Sequence, residues 1–194
     1  MKRVWLFFGL VLIVALLSGP SSYAVTIWDE SVSGDLSNNN IVPTDLGTLN
    51  LGSNQIFGSL DGNYPEKDVA KFVVPDGFVL SQFILATYDY GTYYDYSPVA
   101  LNTGSVVNYA DSIEFILLTN WNAGTDLLQF DSAPGPQPSG VYTFYIGHKE
   151  NDFSDEITPY SMVLNVAAVP EPSTMLLLGL GLMGLAGIRR KFQK

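Results

Sequence analysis

A tyrosine-rich segment between residues 88 and 96 has the residue types that contact sugars. It places five tyrosines and two aspartates around one glycine. Aromatic rings offer flat apolar faces to the CH groups of a pyranose, and carboxylates accept hydrogen bonds from its hydroxyls. In the alternative interpretation, tyrosines at every second position are core or strand-edge residues beside a loop. The candidate contacts to a polysaccharide are Tyr90, Tyr93, Tyr94 and Tyr96.

A second group of side chains could supply oxygen ligands to a cation. Its members are Asp61, Asn63, Glu66 and Asp68. Calcium takes roughly six to eight oxygen ligands and often binds in such loops. The spacing does not follow the EF-hand pattern, and ordinary turn chemistry also explains a run of Asp-Gly-Asn. We therefore expect no cofactor, with calcium as the one alternative. The acidic residues between 150 and 156 are expected to form a solvated loop.

The residues needed for common catalytic sites are scarce. The chain has no cysteine, and His148 is its one histidine. This composition excludes disulfides, thiolate metal sites, cysteine nucleophiles and histidine-rich metal centres. A serine triad is not excluded by count, but no Gly-x-Ser-x-Gly motif is present. We therefore expect no catalytic residues and no enzymatic activity, with a secreted hydrolase as the less favoured alternative.

Charge is distributed unevenly along the chain. Residues 25–168 contain 18 carboxylates against three lysines, which gives a net charge near −15, whereas the whole chain carries −10. A surface this acidic repels nucleic acid and could attract divalent cations. We therefore expect no nucleic-acid partner.

The N-terminus has the three parts of a secretory signal peptide. Lys2 and Arg3 precede an apolar stretch from Val4 to Leu17, and Ser22-Tyr23-Ala24 provides small residues at the cleavage-defining positions. Cleavage after Ala24 would leave a mature chain beginning at Val25. Residues 1–24 are therefore predicted to direct export across the inner membrane.

The C-terminus combines a proline-flanked glutamate, a short apolar run and a basic end. Pro170, Glu171 and Pro172 precede the 14 apolar residues 175–188, and Arg189, Arg190 and Lys191 follow as a predicted membrane stop. The run is short against the roughly 20 residues that span a bilayer, but because backbone groups in lipid must hydrogen-bond internally, we predict a short transmembrane sorting helix here. This tail, residues 169–194, resembles the PEP-CTERM sorting signal of Gram-negative bacteria that make exopolysaccharide. The resemblance implies processing by exosortase, a membrane-embedded cysteine protease or transpeptidase, with Pro-Glu-Pro as its recognition motif.

The region between the two ends is predicted to be all-β. Apolar runs with a period of two alternate with turn signals, which indicates strands rather than amphipathic helices. The predicted strands are residues 55–60, 69–74, 79–88, 113–119, 141–147 and 161–166. Strands of this length and separation favour an antiparallel, jelly-roll-like β-sandwich over residues 25–168.

Two of these strands carry a family resemblance. The run from Asp68 to Pro75 and the run from Gly140 to Gly147 are similar to strands of the bacterial pre-peptidase C-terminal type of domain. The resemblance spans about residues 55–167 and implies a non-catalytic sandwich of secreted proteins, often in contact with substrate or matrix.

Taken together, these patterns predict an exported protein that its tail anchors temporarily in the inner membrane. After processing by exosortase, the mature domain would act at the cell surface or outside the cell. The expected role is structural or adhesive, in exopolysaccharide or biofilm. The alternative is a carbohydrate-binding module that uses the tyrosine-rich loop.

Overall fold

The described residues form ten strands in two sheets. A computed structural model describes residues 24–60, 66–88, 97–107, 114–118, 123–129, 135–147, 157–169 and 179–180. The strands are β1 (Val25–Asp29), β2 (Thr44–Thr48), β3 (Gly52–Leu60), β4 (Lys67–Val74), β5 (Phe78–Tyr88), β6 (Ser97–Thr103), β7 (Glu114–Leu118), β8 (Thr125–Asp126), β9 (Gly140–Gly147) and β10 (Thr158–Ala168). A one-turn helix, α1 (Glu30–Ser33), follows β1, and a 3-10 helix covers Leu127–Gln129.

The strands divide equally between the sheets. The first sheet has the order β1-β3-β10-β5-β8, and the second has the order β2-β4-β9-β6-β7. Most neighbouring strands are antiparallel, but β1 pairs with β3 in parallel and β2 pairs with β4 in parallel. The N-terminal segment thus supplies one edge strand to each sheet.

A shared core between the sheets makes the fold a β-sandwich, which confirms the predicted all-β class. In the second sheet, Ala70, Phe72 and Val74 of β4 are buried, as the alternation of that strand predicted. Phe83 of β5 meets Phe144 of β9 across the core, with ring centroids 6.2 Å apart. Burial of each such side chain contributes about 1.5–3 kcal/mol.

The segment between β1 and β2 passes from one sheet to the other. Leu36 is 2% exposed and belongs to the core cluster. One residue later, Ser37 forms an isolated antiparallel bridge with Val69, and its carbonyl accepts a hydrogen bond from the Val69 amide at 2.9 Å. These contacts hold the segment against the first residues of β4.

The predicted strands correspond to β3, β4, β5, β7, β9 and β10. The sequence did not predict β1, β2, β6 or β8. Within the described residues, no helix is long and apolar enough to span a bilayer.

Candidate metal centre

The structure describes only part of the predicted site residues. Glu66 and Asp68 lie at the start of β4. The tyrosine-rich loop, the sorting motif, the apolar run apart from residues 179–180, and the basic end lie outside the described residues. The predicted positions concerned are Asp61, Asn63, Tyr90, Tyr93, Tyr94, Tyr96, Pro170, Glu171, Pro172, Arg189, Arg190 and Lys191.

Glu30 is positioned by the parallel pairing of β1 with β3. Asp29, the last residue of β1, lies opposite Phe57 and caps α1 by accepting a hydrogen bond from the Ser31 amide at 3.0 Å. The chain turns there, and the Glu30 side chain reaches β3. Its Oε2 accepts hydrogen bonds from the Ser59 amide at 2.7 Å and the Ser59 hydroxyl at 3.2 Å. These bonds fix the carboxylate at the edge of the core.

Asp68 occupies an unusual position for a carboxylate. It lies on the inward-facing side of β4, in register with Ala70 and Phe72, and its exposed fraction is 0%. Its Oδ2 accepts a hydrogen bond from the Tyr160 hydroxyl at 2.7 Å. Its Oδ1 is buried and has no hydrogen-bond partner among the residues that the structure describes. A buried carboxylate oxygen without a partner is costly, so this atom needs a physical explanation.

Tyr160 reaches Asp68 because β3 has a glycine opposite it. Gly58 pairs with Tyr160 in the antiparallel register of β3 and β10. A Cβ at Gly58 would lie 2.4 Å from the Cζ and hydroxyl oxygen of Tyr160. The glycine therefore makes room for the ring to lie across β3 with its hydroxyl at the Asp68 carboxylate.

Three carboxylates from separate parts of the chain meet at this point. One oxygen from each of Glu30, Asp35 and Asp68 lies within 4.8 Å of the others. Asp35 is exposed, Glu30 is partly buried and Asp68 is fully buried. The group therefore runs from solvent into the end of the core.

The electrostatics follow from burial and from like charges. Burial raises the pKa of Asp68 to about 8, and the nearby Glu30 carboxylate acts in the same direction, while the Tyr160 hydrogen bond opposes the rise. Burial also raises the pKa of Glu30, although hydrogen bonds from the Ser59 and Leu36 amides lower it. The pKa of Tyr160 is raised well above its ordinary value by burial and by the Asp68 charge. The cluster therefore favours any species that reduces its negative charge, either a proton or a cation.

Asp68 thus belongs to an acidic cluster, but two of its neighbours there were not in the predicted set. The sequence prediction grouped Asp68 with residues close to it along the chain, and the structure adds Glu30 and Asp35 from the N-terminal segment. The members of that set at 61 and 63 lie outside the described residues, so their part in a calcium site stays a prediction.

Comparisons with known proteins concern the two parts of the chain separately. A solved structure, the periplasmic inhibitor of g-type lysozyme from Salmonella Typhimurium (PliG), is similar with a TM-score of 0.37 and 12% sequence identity, and the match covers 64% of this chain and 98% of that one. Comparison with curated proteins yields no match. The model of the PEP-CTERM protein-sorting motif matches residues 168–191. The match begins at the last residue of β10, so the folded domain and the motif are directly adjacent. The chain carries a PEP-CTERM sorting motif, which makes it an exported protein of the kind that exosortases sort.

Proposed function

We propose that this chain is a non-enzymatic surface or matrix protein that acts in exopolysaccharide or biofilm after processing by an exosortase. The sorting motif is the observation that carries the proposal. Proteins with the sorting signal that this motif resembles are found in Gram-negative bacteria that make exopolysaccharide, and this association supports the proposed role. The strongly acidic domain agrees with a role outside the cell, because like charge keeps such a surface from associating with itself.

The bounds of the sandwich support the proposed division of the chain. The first strand begins at Val25, the residue that follows the proposed signal-peptide cleavage site, and the last strand ends at Ala168. The proposed units are thus the signal peptide at 1–24, the domain at 25–168 and the sorting signal at 169–194. In the precursor, the short apolar run would anchor the chain in the inner membrane, with the basic end on the cytoplasmic side.

Geometry restricts where an exosortase could cut. The last strand, β10, lies between two others: Val166 pairs with Gly52 of β3, and Ala168 pairs with Phe78 of β5. The Val169 amide also donates to the Gly77 carbonyl at 3.2 Å. Because a protease binds an extended and accessible segment, residues before this point could be reached only by opening the sheet. We therefore expect the mature C-terminus at or after residue 169, which mass spectrometry of the processed protein would measure. A mature end before Val169 would contradict this.

The sorting role is tested with a change of one charge. Glu171→Gln, in the full chain expressed with its exosortase, should leave unprocessed precursor in the membrane fraction. Asp76→Asn is the matched control, because Asp76 is an exposed carboxylate in the turn between β4 and β5. Processing of Glu171→Gln at the rate of the control would refute the role of Glu171.

The absence of catalysis is tested separately. Purified protein incubated with polysaccharide and peptide substrates should give no products above the background. Turnover that a single carboxylate substitution abolishes would favour the alternative of a secreted hydrolase.

Binding of a polysaccharide through the tyrosine-rich loop is the second candidate function. The described strands on either side of this loop, β5 and β6, belong to different sheets. Loops at the ends of a rigid sandwich are common binding sites. Retention of the protein on exopolysaccharide that Tyr93→Ala and Tyr94→Ala both abolish would support this role. Failure of the protein to bind any glycan would contradict this role.

A further inference from the structure

Within the described residues, no positively charged side chain pairs with Asp68, the most buried member of the carboxylate cluster. Asp68 is fully buried, and one of its two oxygens has no hydrogen bond. Lys71, on the same strand, pairs with Asp45 at 3.0 Å and faces away from the core. An isolated buried charge costs several kcal/mol unless a cation or hydrogen bonds offset it. The site therefore points to a positively charged ligand.

We propose that Glu30, Asp35 and Asp68 bind one calcium ion, which fastens the segment between β1 and β2 to the end of the sandwich. The oxygens of these three carboxylates already lie within 4.8 Å of one another. The Asp68 Oδ1 atom is the buried oxygen left for the ion. The proposal stands independently of the sorting function.

The ligand chemistry selects calcium among common cations. All three ligands are carboxylates, and hard oxygen ligands without histidine or cysteine favour calcium or magnesium over zinc and copper. Calcium accepts irregular geometry and carboxylates that bind through one or both oxygens, whereas magnesium demands a near-ideal octahedron. Because Asp35 is exposed, it opens the site to solvent, so waters can complete the coordination.

Hydrogen bonds from neighbouring residues already orient two of the three ligands. The Ser59 amide holds the Glu30 carboxylate at 2.7 Å, and the Tyr160 hydroxyl holds the Asp68 carboxylate at 2.7 Å. Such outer partners are typical of metal sites, because they fix the ligands before the ion arrives. Glu30 follows β1, Asp35 precedes the Ser37 bridge, and Asp68 lies on β4, so one ion would connect both sheets.

The experiment titrates calcium chloride into the full chain, purified in detergent and freed of metal with EGTA, at pH 7.5. Isothermal titration calorimetry should give one saturable site. At ten times the dissociation constant, the melting temperature should rise by roughly 3–6 °C. Asp35→Asn should raise the dissociation constant of calcium at least tenfold. Because Asp35 is exposed, this variant should still fold. Glu30→Gln and Asp68→Asn should abolish binding, whereas the exposed control Asp76→Asn should bind as the unchanged chain does.

Terbium provides a second measurement that reports position. A terbium ion at this site would lie beside Tyr160, whose excitation should sensitise its luminescence. Tyr160→Phe should therefore reduce the calcium-displaceable luminescence while calorimetry still detects the site. Absence of saturable calcium binding would overturn the proposal and indicate that a proton alone neutralises Asp68. Binding that survives Asp35→Asn and Asp68→Asn, or that only Asn63→Ala removes, would also overturn it.

Discussion

The charge on Asp68 should make the metal-free protein less stable as the pH rises. The carboxyl is buried on the inward-facing side of β4. The charged groups that act on it are Glu30, Asp35 and Glu66, and the neutral Tyr160 hydroxyl donates a hydrogen bond to it. In the unfolded chain the pKa of Asp68 is near 3.8, and in the folded protein it is about 8. Between these values the folded state holds a proton that the unfolded state has released. The contribution of this carboxyl to the free energy of unfolding is therefore fully present below pH 3.8 and is lost as the pH rises toward 8.

The size of the effect follows from the two pKa values. At about 1.4 kcal/mol per pKa unit, the rise from 3.8 to about 8 corresponds to an upper limit of about 6 kcal/mol. Relaxation of the protein and entry of water around the charged form reduce this limit. Between pH 5 and pH 8 we expect Asp68 to lower the free energy of unfolding by about 2–4 kcal/mol.

Asp68→Asn isolates this contribution from that of the other carboxylates. The amide is nearly the same size as the acid, its oxygen can still accept the Tyr160 hydrogen bond, and its nitrogen can donate to Glu30 or Asp35 as a protonated acid would. The variant and the unchanged chain should be about equally stable at pH 4. At pH 8 the variant should be more stable by a few kcal/mol.

Denaturation of the full chain in EGTA, measured at intervals from pH 4 to pH 8, gives the required comparison. Circular dichroism reports the loss of the sheets, and Asp76→Asn controls for removal of one exposed carboxylate. The argument would be refuted by a difference between the Asp68 variant and the unchanged chain that stays constant within about 0.5 kcal/mol over this range. It would equally fail if Asp68→Asn were the less stable protein at pH 8.

Three further predictions test the packing and the hydrogen bonds of the sandwich, each by chemical denaturation of the full chain. Gly58→Ala should cost about 1–3 kcal/mol because its Cβ would overlap the Tyr160 ring, and Tyr160→Leu should remove most of that cost in a double-mutant cycle. Asn54→Ala should cost about 1–3 kcal/mol, because the buried amide bonds three backbone carbonyls and one backbone amide; a neutral result would contradict these hydrogen bonds. Phe144→Ala should cost about 3–5 kcal/mol by opening a cavity between the sheets, and a loss below 1 kcal/mol would place this ring outside the core.

The central strands were predictable because large apolar residues recur in them at every second position. In β4 the alternation of Phe72 and Val74 with Lys71 and Val73 matches the two sides of a strand. Tyr142, Phe144 and Ile146 of β9 are buried as that period requires, and Thr143 and Tyr145 on its other side are buried as well. Strands at the centre of a sheet bury the most surface, so their sequence carries the clearest pattern.

The remaining strands were missed because their pairing depends on distant parts of the chain. Strands β1 and β2 are five residues each and lie at the edges of the sheets, where partial exposure weakens alternation. Pro98 in β6 and the two-residue length of β8 also hide these elements from a local pattern. Parallel pairing of β1 with β3 has no turn signal, because the two strands are not joined by a hairpin.

The candidate metal centre was predictable in one member and not in the others, for the same reason. Asp68 stands in the inward-facing register of β4, two residues before Ala70 and four before Phe72, so the strand pattern alone places a carboxylate in the core. A buried carboxylate requires hydrogen-bonding or charged partners. Residues near it in the sequence can supply them only where the chain folds back as a local loop. Here the partners come from a segment more than 30 residues earlier, which the parallel edge strand and the Ser37 bridge bring to the same end. A carboxylate in the inward register of an apolar strand therefore indicates a site whose other members must be sought on neighbouring elements.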